Sequence, residues 1–404
     1  MKFEVGTPGL PAGPLPAMAG DEVVRLPRAG GGSPLSGKGN GMRIADVIVH
    51  QLAVPVKKSG PEVPFVWGRR HQVIVEVKTD DGLSGWGEAF GYGVPHAVAA
   101  CIAHTLKPTL VGQDPTRITA LTQRMFHETH LFGRYGITTF AISGVETALW
   151  DLAAKRAGKP LYELLGGAAS TQVPAYASLV RYEEENERIA AYAQQAVREG
   201  YTMVKVHQVT ARSVEQARMA IGENVPLTVD INCEWSVFEA SRMAIAMDAY
   251  DLLWLEEPVW PPEDFAGLAE VQSGTGVPLS SGENACTAFQ FKQMIEAGAV
   301  TFVQPSVTKV GGISEFLKVA HLVQTANLEL APHSPYFGPG FVATLHLIAH
   351  TGQPRWVEKF YFDLESPLFV KPLEFSKGTF TVPSVPGLGA DMDAHALREY
   401  KVKE

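Results

Sequence analysis

The segment that decides the fold is "PLTVDIN" at residues 226–232, followed by "LLWLEEP" at 252–258 and "PLSSGEN" at 278–284. Each is a short apolar run that ends in an acid, namely Asp230, Glu256 and Glu283. The acids are separated by 26 and 27 residues, about the length of one strand plus one helix. Short apolar strands that alternate with helical stretches are typical of a parallel α/β sheet.

The same alternation continues on both sides of these three segments. Further strand candidates are "VPAYASL" (173–179), "TMVKVH" (202–207), "TFVQPSV" (301–307), "LELAPHS" (328–334) and "RWVEKF" (355–360). Eight such strands with helical crossovers favour a parallel (β/α) barrel. An open three-layer α/β sheet is the structural alternative, but no glycine-rich nucleotide loop follows the first strand.

The remaining segments predict the domain organisation. Residues 43–90 have the pattern of a β-meander with a hairpin turn at "DDGLSG", and "GVETALWDLAAKRAGKPLYELLGG" (144–167) predicts a long amphipathic helix and a short one. We expect a flexible Gly/Pro-rich leader over 1–41, and an α+β domain over 42–165, completed by about 375–404. The barrel is expected over 166–374.

Composition narrows the class of protein. The net charge of -9, with no basic cluster, argues against a nucleic-acid partner. The cysteines Cys101, Cys233 and Cys286 are scattered, which argues for a reducing compartment and against a cysteine zinc site. No apolar run approaches the roughly 18 residues of a membrane span. We expect a soluble cytoplasmic homo-oligomer that acts on a small molecule.

The three strand-end acids predict a metal site. In a parallel barrel, Asp230, Glu256 and Glu283 all lie at the C-terminal mouth. A single acid there is usually a helix N-cap or a surface salt-bridge partner, but three at regular spacing repel one another unless a cation joins them. Oxygen ligands alone favour a hard ion, Mg²⁺ first and Mn²⁺ second.

Basic residues flank this acidic centre. Lys205 and His207 end the preceding strand, Lys309 follows the sixth strand, and His333 ends the seventh. The second and seventh strands lie on opposite sides of the ring, so a carboxylate on the metal would have nitrogen bases on both faces of its α-carbon. This arrangement indicates abstraction of the proton next to a carboxylate, with the ion and Lys205 stabilising the enediolate that forms.

Residues 42–404 resemble the enolase superfamily. Within it, they are most similar to the mandelate racemase / muconate lactonizing enzyme-like proteins, and among these to the mandelate racemase branch. The motifs that carry the resemblance are "ALWDLAAKRAGKPLYELLGG" (148–167), KxH where the family has KxK, DxN, EEP, GEN, KVGG, the late histidine, WVE and VPGLG. The resemblance implies an α+β capping domain over a (β/α)₇β barrel, with essential Mg²⁺ on Asp230, Glu256 and Glu283. It also implies that His333 is the late catalytic histidine and that Glu358 hydrogen-bonds the substrate carboxylate.

Two positions depart from the family pattern. His207 stands where related members place a catalytic lysine, and Ser306 stands where the acid that pairs with the late histidine would fall. Without that acid, His333 is expected to be a weak base that serves as an acid or hydrogen-bond donor. His207, beside the cations Lys205 and Mg²⁺, is expected to be neutral and to accept the proton. A barrel histidine without chemistry is the alternative, and Lys205 and His207 could exchange roles.

Capping loops supply specificity candidates. "FVWGRRH" (65–71) offers Trp67, Arg69 and Arg70, and "HLFGRYG" (130–136) offers Arg134 and Tyr135. An ordinary surface or interface role is the alternative for each. Trp235, Tyr336 and Phe337 are further candidates for the pocket wall. With Asn232, Lys309 and Glu358, we predict that Trp67, Arg69, Arg134 and Tyr135 bind substrate.

The resulting hypothesis is a Mg²⁺-dependent lyase that dehydrates a sugar acid to a 2-keto-3-deoxy acid. A racemase or epimerase needs two bases of matched strength, which Ser306 argues against. Cycloisomerisation of a sugar-acid lactone uses the same enediolate and stays open. A non-catalytic sugar-acid or metal-binding protein is the alternative from another class.

Overall fold

The computed structural model describes residues 42–57, 68–183, 185–353 and 356–402. Its first part contains the predicted meander: β1 (Ile44–Pro55), β2 (Arg69–Thr79) and β3 (Ser84–Ala89) form an antiparallel sheet in that order. The backbone N–H of Thr79 bonds to the carbonyl of Leu83 and closes the predicted hairpin turn. The proposed leader, 1–41, lies outside the described residues.

Helices follow this sheet. Helix α1 (Pro95–Ala100) continues through a π-helical stretch (Cys101–Leu106) into α2 (Lys107–Leu110), and the next helices are α3 (Ile118–Glu128), α4 (Ile137–Arg156) and α5 (Leu161–Leu165). The prediction that α4 is amphipathic was wrong, because 14 of its 20 residues are buried. One side of α4 packs on β2 and β3, and another side contacts two barrel helices.

Eight strands of the described chain are parallel neighbours, which confirms the predicted α/β barrel class. They are β4 (Gln172–Ser178), β5 (Val204–Val206), β6 (Leu227–Asp230), β7 (Leu252–Glu256), β8 (Leu279–Ser281), β9 (Phe302–Val303), β10 (Glu329–Leu330) and β11 (Val357–Phe360). Strands β4 to β10 pair in chain order, and β11 pairs with residues 175–178 of β4.

Helices connect these strands. They are α6 (Asn186–Arg198), α7 (Ala211–Ile221), α8 (Val237–Met247) with a 3₁₀ turn (Asp248–Tyr250), α9 (Phe265–Thr275), α10 (Thr287–Glu296), α11 (Ile313–Thr325) and α12 (Pro339–Thr351). Side chains alternate as a parallel barrel requires. Tyr176, Met203, Trp254 and Ala331 form a small buried cluster of their own. Val204 and Val206 point the other way, into the main core.

The C-terminal segment contacts both parts of the molecule. Strand β12 (Phe375–Ser376) pairs with β13 (Thr379–Thr381), and β13 pairs antiparallel with β4. After α13 (Ala394–Glu399), the Tyr400 carbonyl accepts from Ala53 N–H and the Val402 N–H donates to Gln51, both on β1. The boundaries at 165 and 374 stay predictions. Within the described ranges, none of the helices combines the length and apolar character needed to cross a membrane.

Glu146, a fully buried acid of α4, binds the first turn of α11. Its carboxylate accepts from Ile313 N–H at 2.7 Å, Ser314 N–H at 3.1 Å and the Trp150 indole at 2.8 Å, and it also contacts the Ser314 hydroxyl. Burial raises the pKa of Glu146 to about 7, and the donors act in the opposite sense. A negative group at a helix N-terminus satisfies N–H groups that have no partner within the helix.

Asp151, one turn further along α4, joins three segments. Its oxygens accept from Trp86 N–H at 2.8 Å and Leu388 N–H at 2.7 Å, and the Lys155 ammonium lies 2.9 Å away. Trp86 belongs to β3, and Leu388 belongs to the "VPGLG" motif near the C-terminus. Glu146 and Asp151 of α4 therefore act as structural anchors between the antiparallel sheet, the barrel and the C-terminal segment.

We expect Glu146→Gln to lower the free energy of unfolding by about 1–3 kcal/mol, because the amide NH₂ would face backbone and side-chain donors. Thermal unfolding measures the effect, and the midpoint should fall by several degrees. Glu128→Gln is the control, since Glu128 is exposed and accepts from Arg124 on its own helix. Equal midpoints for the two variants would contradict the anchoring role of Glu146.

Candidate active site

The three strand-end acids meet at the C-terminal end of the barrel. Asp230 and Glu256 are the last residues of β6 and β7 and are direct neighbours in the sheet, whereas Glu283 follows β8 by two residues. One oxygen from each of the three lies within 4.8 Å of the others. The register of parallel strands thus brings together the side chains that the sequence spacing singled out.

Lys205 lies among these carboxylates and is 1% exposed. Its Nζ atom is 2.9 Å from Asp230 Oδ2, 2.6 Å from Glu256 Oε1 and 3.1 Å from Glu358 Oε1. Burial alone would lower the pKa of Lys205, but the surrounding carboxylates raise it well above its ordinary value. Burial likewise opposes ionisation of Asp230, yet Lys205 and His207 hold the pKa of Asp230 well below its usual range. Lys205 is therefore a permanent cation at this site.

His207 presents one ring nitrogen to the same acids. Its Nδ1 atom contacts the carbonyl oxygen of Leu179 at the end of β4, and its Nε2 atom lies 3.2 Å from Asp230 Oδ2. A carbonyl only accepts, so Nδ1 carries a proton and Nε2 is the atom that exchanges one. The sequence-based argument for a neutral ring considered only nearby cations. It left out Asp230, whose Oδ2 atom faces Nε2.

His333 lies on the opposite side of the acid cluster. Its Nε2 atom is 2.7 Å from Glu283 Oε2, and its Nδ1 atom is 3.1 Å from the Tyr336 hydroxyl oxygen. That hydroxyl also bonds to the hydroxyl of Ser306, the residue at the position of the missing acid. His333 therefore has a partner on each ring nitrogen, and the one on Nδ1 is a phenol rather than a carboxylate.

Glu358 and Lys309 occupy buried positions beside the acids. Glu358, on β11, accepts from the Ser178 hydroxyl at 2.8 Å and from the Ser334 N–H at 3.3 Å, in addition to its contact with Lys205. Lys309 Nζ lies 3.7 Å from Glu283 Oε1 and 4.5 Å from the centre of the Phe90 ring. This contact favours an ion-pairing role of Lys309 with the acid cluster over the predicted direct contact with substrate.

A cavity of about 270 Å³ opens onto these groups. Its polar end contains Lys205, His207, Asp230, Asn232, Glu283, His333 and Glu358. Its other walls are mainly apolar and aromatic: Phe90, Tyr92, Val180, Arg181, Pro335, Tyr336 and Phe360. Asn232 has a left-handed backbone (φ 50°), and its N–H donates to Asp230 Oδ1. The cavity combines a charged end with a wall suited to the carbon chain of a small ligand.

The structure does not bring the other predicted capping residues to this cavity. Arg69 is exposed and donates to the Ala53 carbonyl, because alternation along β2 points it away. Arg134 lies 5.7 Å from the Phe126 ring in a separate depression, and Tyr135 is 53% exposed. Trp67 lies outside the described residues. For Arg69, Arg134 and Tyr135, the surface alternative is therefore the better description.

Sequence reasoning offered Arg70 and Tyr336 as candidates, but it missed Arg181 and the wall residues Phe90, Tyr92 and Phe360. Arg70, next to Arg69, is buried with its guanidinium 3.6 Å from the centre of the Tyr92 ring and 5.0 Å from that of Phe360. Arg181 follows the end of β4, a strand end at the same mouth. The rule that strand ends line a barrel mouth would have found Arg181. The wall residues Phe90 and Tyr92 follow β3 of the capping sheet, and no local pattern marks them.

The acid cluster fits a hard divalent ion. Its donors are carboxylate oxygens from three different strands, close enough to share one ion. Asp230 and Glu256 are at most 2% exposed, and such acids are strongly destabilising unless cations compensate them. A charge-stabilising centre of this kind, with nitrogen bases on two sides, can lower the barrier to proton removal next to a carboxylate.

Comparison with known proteins identifies the family. Residues 50–166 match the model for the mandelate racemase / muconate lactonizing enzyme N-terminal domain, and residues 188–396 match the enolase C-terminal domain-like model. Arabinonate dehydratase of Saccharolobus solfataricus is 34% identical over 343 residues, 82% of this chain and 91% of that protein. The 3,6-anhydro-alpha-L-galactonate cycloisomerase of Streptomyces coelicolor is 32% identical, covering 80% and 90%.

A solved structure agrees with this assignment. L-talarate dehydratase from Polaromonas sp. JS666, complexed with Mg and L-glucarate, superimposes with a TM-score of 0.76 at 28% identity. The match covers 90% of this chain and 98% of that one. The matched sequence models and the acid cluster at the barrel mouth lead to one conclusion. The chain belongs to the mandelate racemase / muconate lactonizing enzyme family of the enolase superfamily.

Proposed function

We propose that this protein is a Mg²⁺-dependent sugar-acid dehydratase that converts a polyhydroxy monocarboxylic acid to a 2-keto-3-deoxy acid. The observation that carries the proposal is the cluster of Asp230, Glu256 and Glu283 oxygens within 4.8 Å, with Lys205 and two histidines around it. The similarity to arabinonate dehydratase supports the same reaction class.

In this proposal Asp230, Glu256 and Glu283 hold Mg²⁺, with Mn²⁺ as a substitute. When bound, the ion would supply positive charge that stabilises the enediolate of the substrate carboxylate. Lys205 contributes a second, permanent positive charge next to the same acids and binds the carboxylate end of the substrate. Glu358 orients Lys205 through their 3.1 Å contact. Asn232, on the cavity wall, binds the same end of the substrate.

His207 is assigned the role of base. Its Nδ1–H is held by the Leu179 carbonyl, so Nε2, which lies 3.2 Å from Asp230 Oδ2, is the nitrogen assigned to take the α-proton. The electron pair of the broken C–H bond forms the enediolate. Return of that pair creates the Cα–Cβ double bond as the β-hydroxyl leaves with a proton as water. The resulting enol becomes the 2-keto-3-deoxy acid.

His333 is assigned to the leaving-group side of the substrate. It is on the far side of the acid cluster from His207, with Glu283 on one nitrogen and a phenol on the other. A racemase needs two bases of matched strength, whereas a dehydratase needs one base and one group that assists departure of the hydroxyl. The unequal surroundings of the two histidines favour the dehydratase.

The cavity favours a single carboxylate on the substrate. Away from the acid cluster, Arg181 is the positively charged side chain among the described residues that line the cavity. Its guanidinium contacts Glu234, and its Nε atom lies 3.6 Å from Glu183 Oε2. A second substrate carboxylate would therefore have to compete with these two acids for the Arg181 guanidinium. This supports aldonic over aldaric acids.

Cycloisomerisation of a sugar-acid lactone is the second candidate, and the 32% identity to a cycloisomerase favours it. It would use the same base and enediolate, with a ring oxygen as the leaving group. The product separates the two reactions, because only dehydration releases water. A cytoplasmic location and a homo-oligomeric state stay predictions.

The first test is a substrate panel of aldonic acids, aldaric acids and their lactones, incubated with Mg²⁺ and assayed for 2-keto acids. We expect turnover of an aldonic acid, at least about tenfold slower turnover of the aldaric acid of the same length, and complete loss with EDTA that Mg²⁺ reverses. Solvent deuterium at the α-carbon without keto acid would replace dehydration with epimerisation. Keto acid formed from a lactone without loss of water would favour cycloisomerisation, and binding without any reaction would indicate a binding protein.

The second test is His207→Asn. Removal of the base should slow α-proton exchange by at least about 100-fold, while calorimetric Mg²⁺ binding is retained. His350→Asn is a matched control, because the Nδ1 atom of His350 also contacts a backbone carbonyl, that of Gly167, and His350 lies outside the cavity lining. A His207→Asn protein that exchanges the α-proton at the wild-type rate would remove His207 from the base assignment.

A further inference from the structure

The hydroxyl group of Tyr336 lies between His333 and the position where the family pattern has an acid. It is 3.1 Å from His333 Nδ1 and in direct contact with the Ser306 hydroxyl, which lies 3.3 Å from the Thr308 hydroxyl. Ser306 and Thr308 are fully buried. Ser306, which follows β9, thus contacts His333 indirectly, through the Tyr336 phenol. The short serine side chain leaves room for the phenol.

Contacts on the other side of the ring fix the direction of these hydrogen bonds. The Nε2 atom of His333 lies 2.7 Å from a Glu283 carboxylate oxygen, which can only accept, so Nε2 carries the proton. In the neutral ring Nδ1 is then an acceptor, and the Tyr336 O–H donates to it. Ser306 O–H in turn donates to the Tyr336 oxygen. In this arrangement the Tyr336 hydroxyl both donates to His333 and accepts from Ser306.

The Tyr336 ring is itself held in place. It meets the His333 ring edge-on, with centroids 5.7 Å apart, and the Phe90 ring at 6.4 Å. Its backbone N–H donates to the Ser334 carbonyl at 2.7 Å. Burial raises the pKa of the Tyr336 phenol, which therefore stays protonated at neutral pH. The phenol is thus a neutral hydrogen-bonding group held in a fixed position beside His333.

We propose that Tyr336, backed by Ser306, is the positioning residue that fixes the tautomer of His333, with Nε2–H directed at the acid cluster, in place of a carboxylate partner. A phenol orients the ring without adding negative charge, so it positions a hydrogen-bond donor rather than strengthening a base. The hydroxyls can also turn to accept from Nδ1–H when the ring carries two protons. The consequence for turnover rests on the proposed function, whereas the positioning of the ring does not.

The test combines Tyr336→Phe with a direct reading of the His333 ring. In Mg²⁺-loaded enzyme labelled with ¹⁵N-histidine, His333→Asn identifies the His333 nitrogen signals. We expect the wild type to show one protonated and one acceptor nitrogen, and Tyr336→Phe to show an averaged mixture of tautomers. The kcat for the substrate should fall about tenfold or more with KM nearly unchanged, because the loss affects orientation rather than binding.

Further variants separate positioning from other effects. Tyr162→Phe is the matched control, since Tyr162 stacks on another buried histidine, His346, with centroids 5.5 Å apart, outside the cavity lining. Ser306→Ala should shift the His333 signals in the same direction as Tyr336→Phe, and Ser306→Thr should preserve them. If Tyr336→Phe fails to fold, Ser306→Ala answers the question alone.

Two results would overturn the proposal. Unchanged His333 signals in Tyr336→Phe would show that the phenol does not set the tautomer. A fall in kcat with unchanged signals would instead assign Tyr336 a direct contact with the substrate. If no sugar acid is turned over by the wild type, the proposed function fails, but the nitrogen signals still decide the role of Tyr336.

Discussion

The ammonium group of Lys205 balances the negative charge of the buried carboxylates at the mouth of the barrel, and the arrangement of the site depends on this balance. It lies within 3.1 Å of carboxylate oxygens from Asp230, Glu256 and Glu358, on three different strands. Removing one partner from such a buried set costs about 3–5 kcal/mol, because an uncompensated charge remains. With Lys205 in place, the acids converge on a small volume instead of turning away from one another. The remaining side chains of the cavity surround this charge-balanced centre.

A second set of buried carboxylates holds the antiparallel sheet against this centre. Glu146 binds the N-terminus of α11, Asp151 binds Trp86 and Leu388, and Glu88 accepts from Gly340 N–H at the start of α12. Glu88 directly precedes the segment that supplies Phe90 and Tyr92 to the cavity wall. The buried anchors and the aromatic wall are thus one structural unit. Glu146 and Asp151 lie away from the cavity but help to fix the position of its wall.

The sequence predicted the barrel and the acid cluster because both follow from the strand–helix repeat. Asp230, Glu256 and Glu283 converge because parallel strands place their ends at one edge. The capping residues did not follow from any repeat: Arg69 points away through strand alternation, and Arg134 lies on a loop that runs elsewhere. The partners of the two histidines were also out of reach. The Leu179 carbonyl comes from the neighbouring strand end, and the Tyr336 phenol lies only three residues from His333, but no sequence pattern shows that its hydroxyl turns back to the ring.

The two histidines now differ in a way that bears on mechanism. Each Nε2 atom faces a carboxylate, Asp230 for His207 and Glu283 for His333, whereas Nδ1 contacts a backbone carbonyl in His207 and a phenol in His333. The most direct measurement is a crystal structure of the protein with Mg²⁺ and an unreactive analogue of its sugar-acid substrate. The account predicts His207 Nε2 about 3–3.5 Å from the α-carbon, with His333 next to the β-hydroxyl. An α-carbon that faces His333 or Lys205, with His207 out of reach, would contradict it.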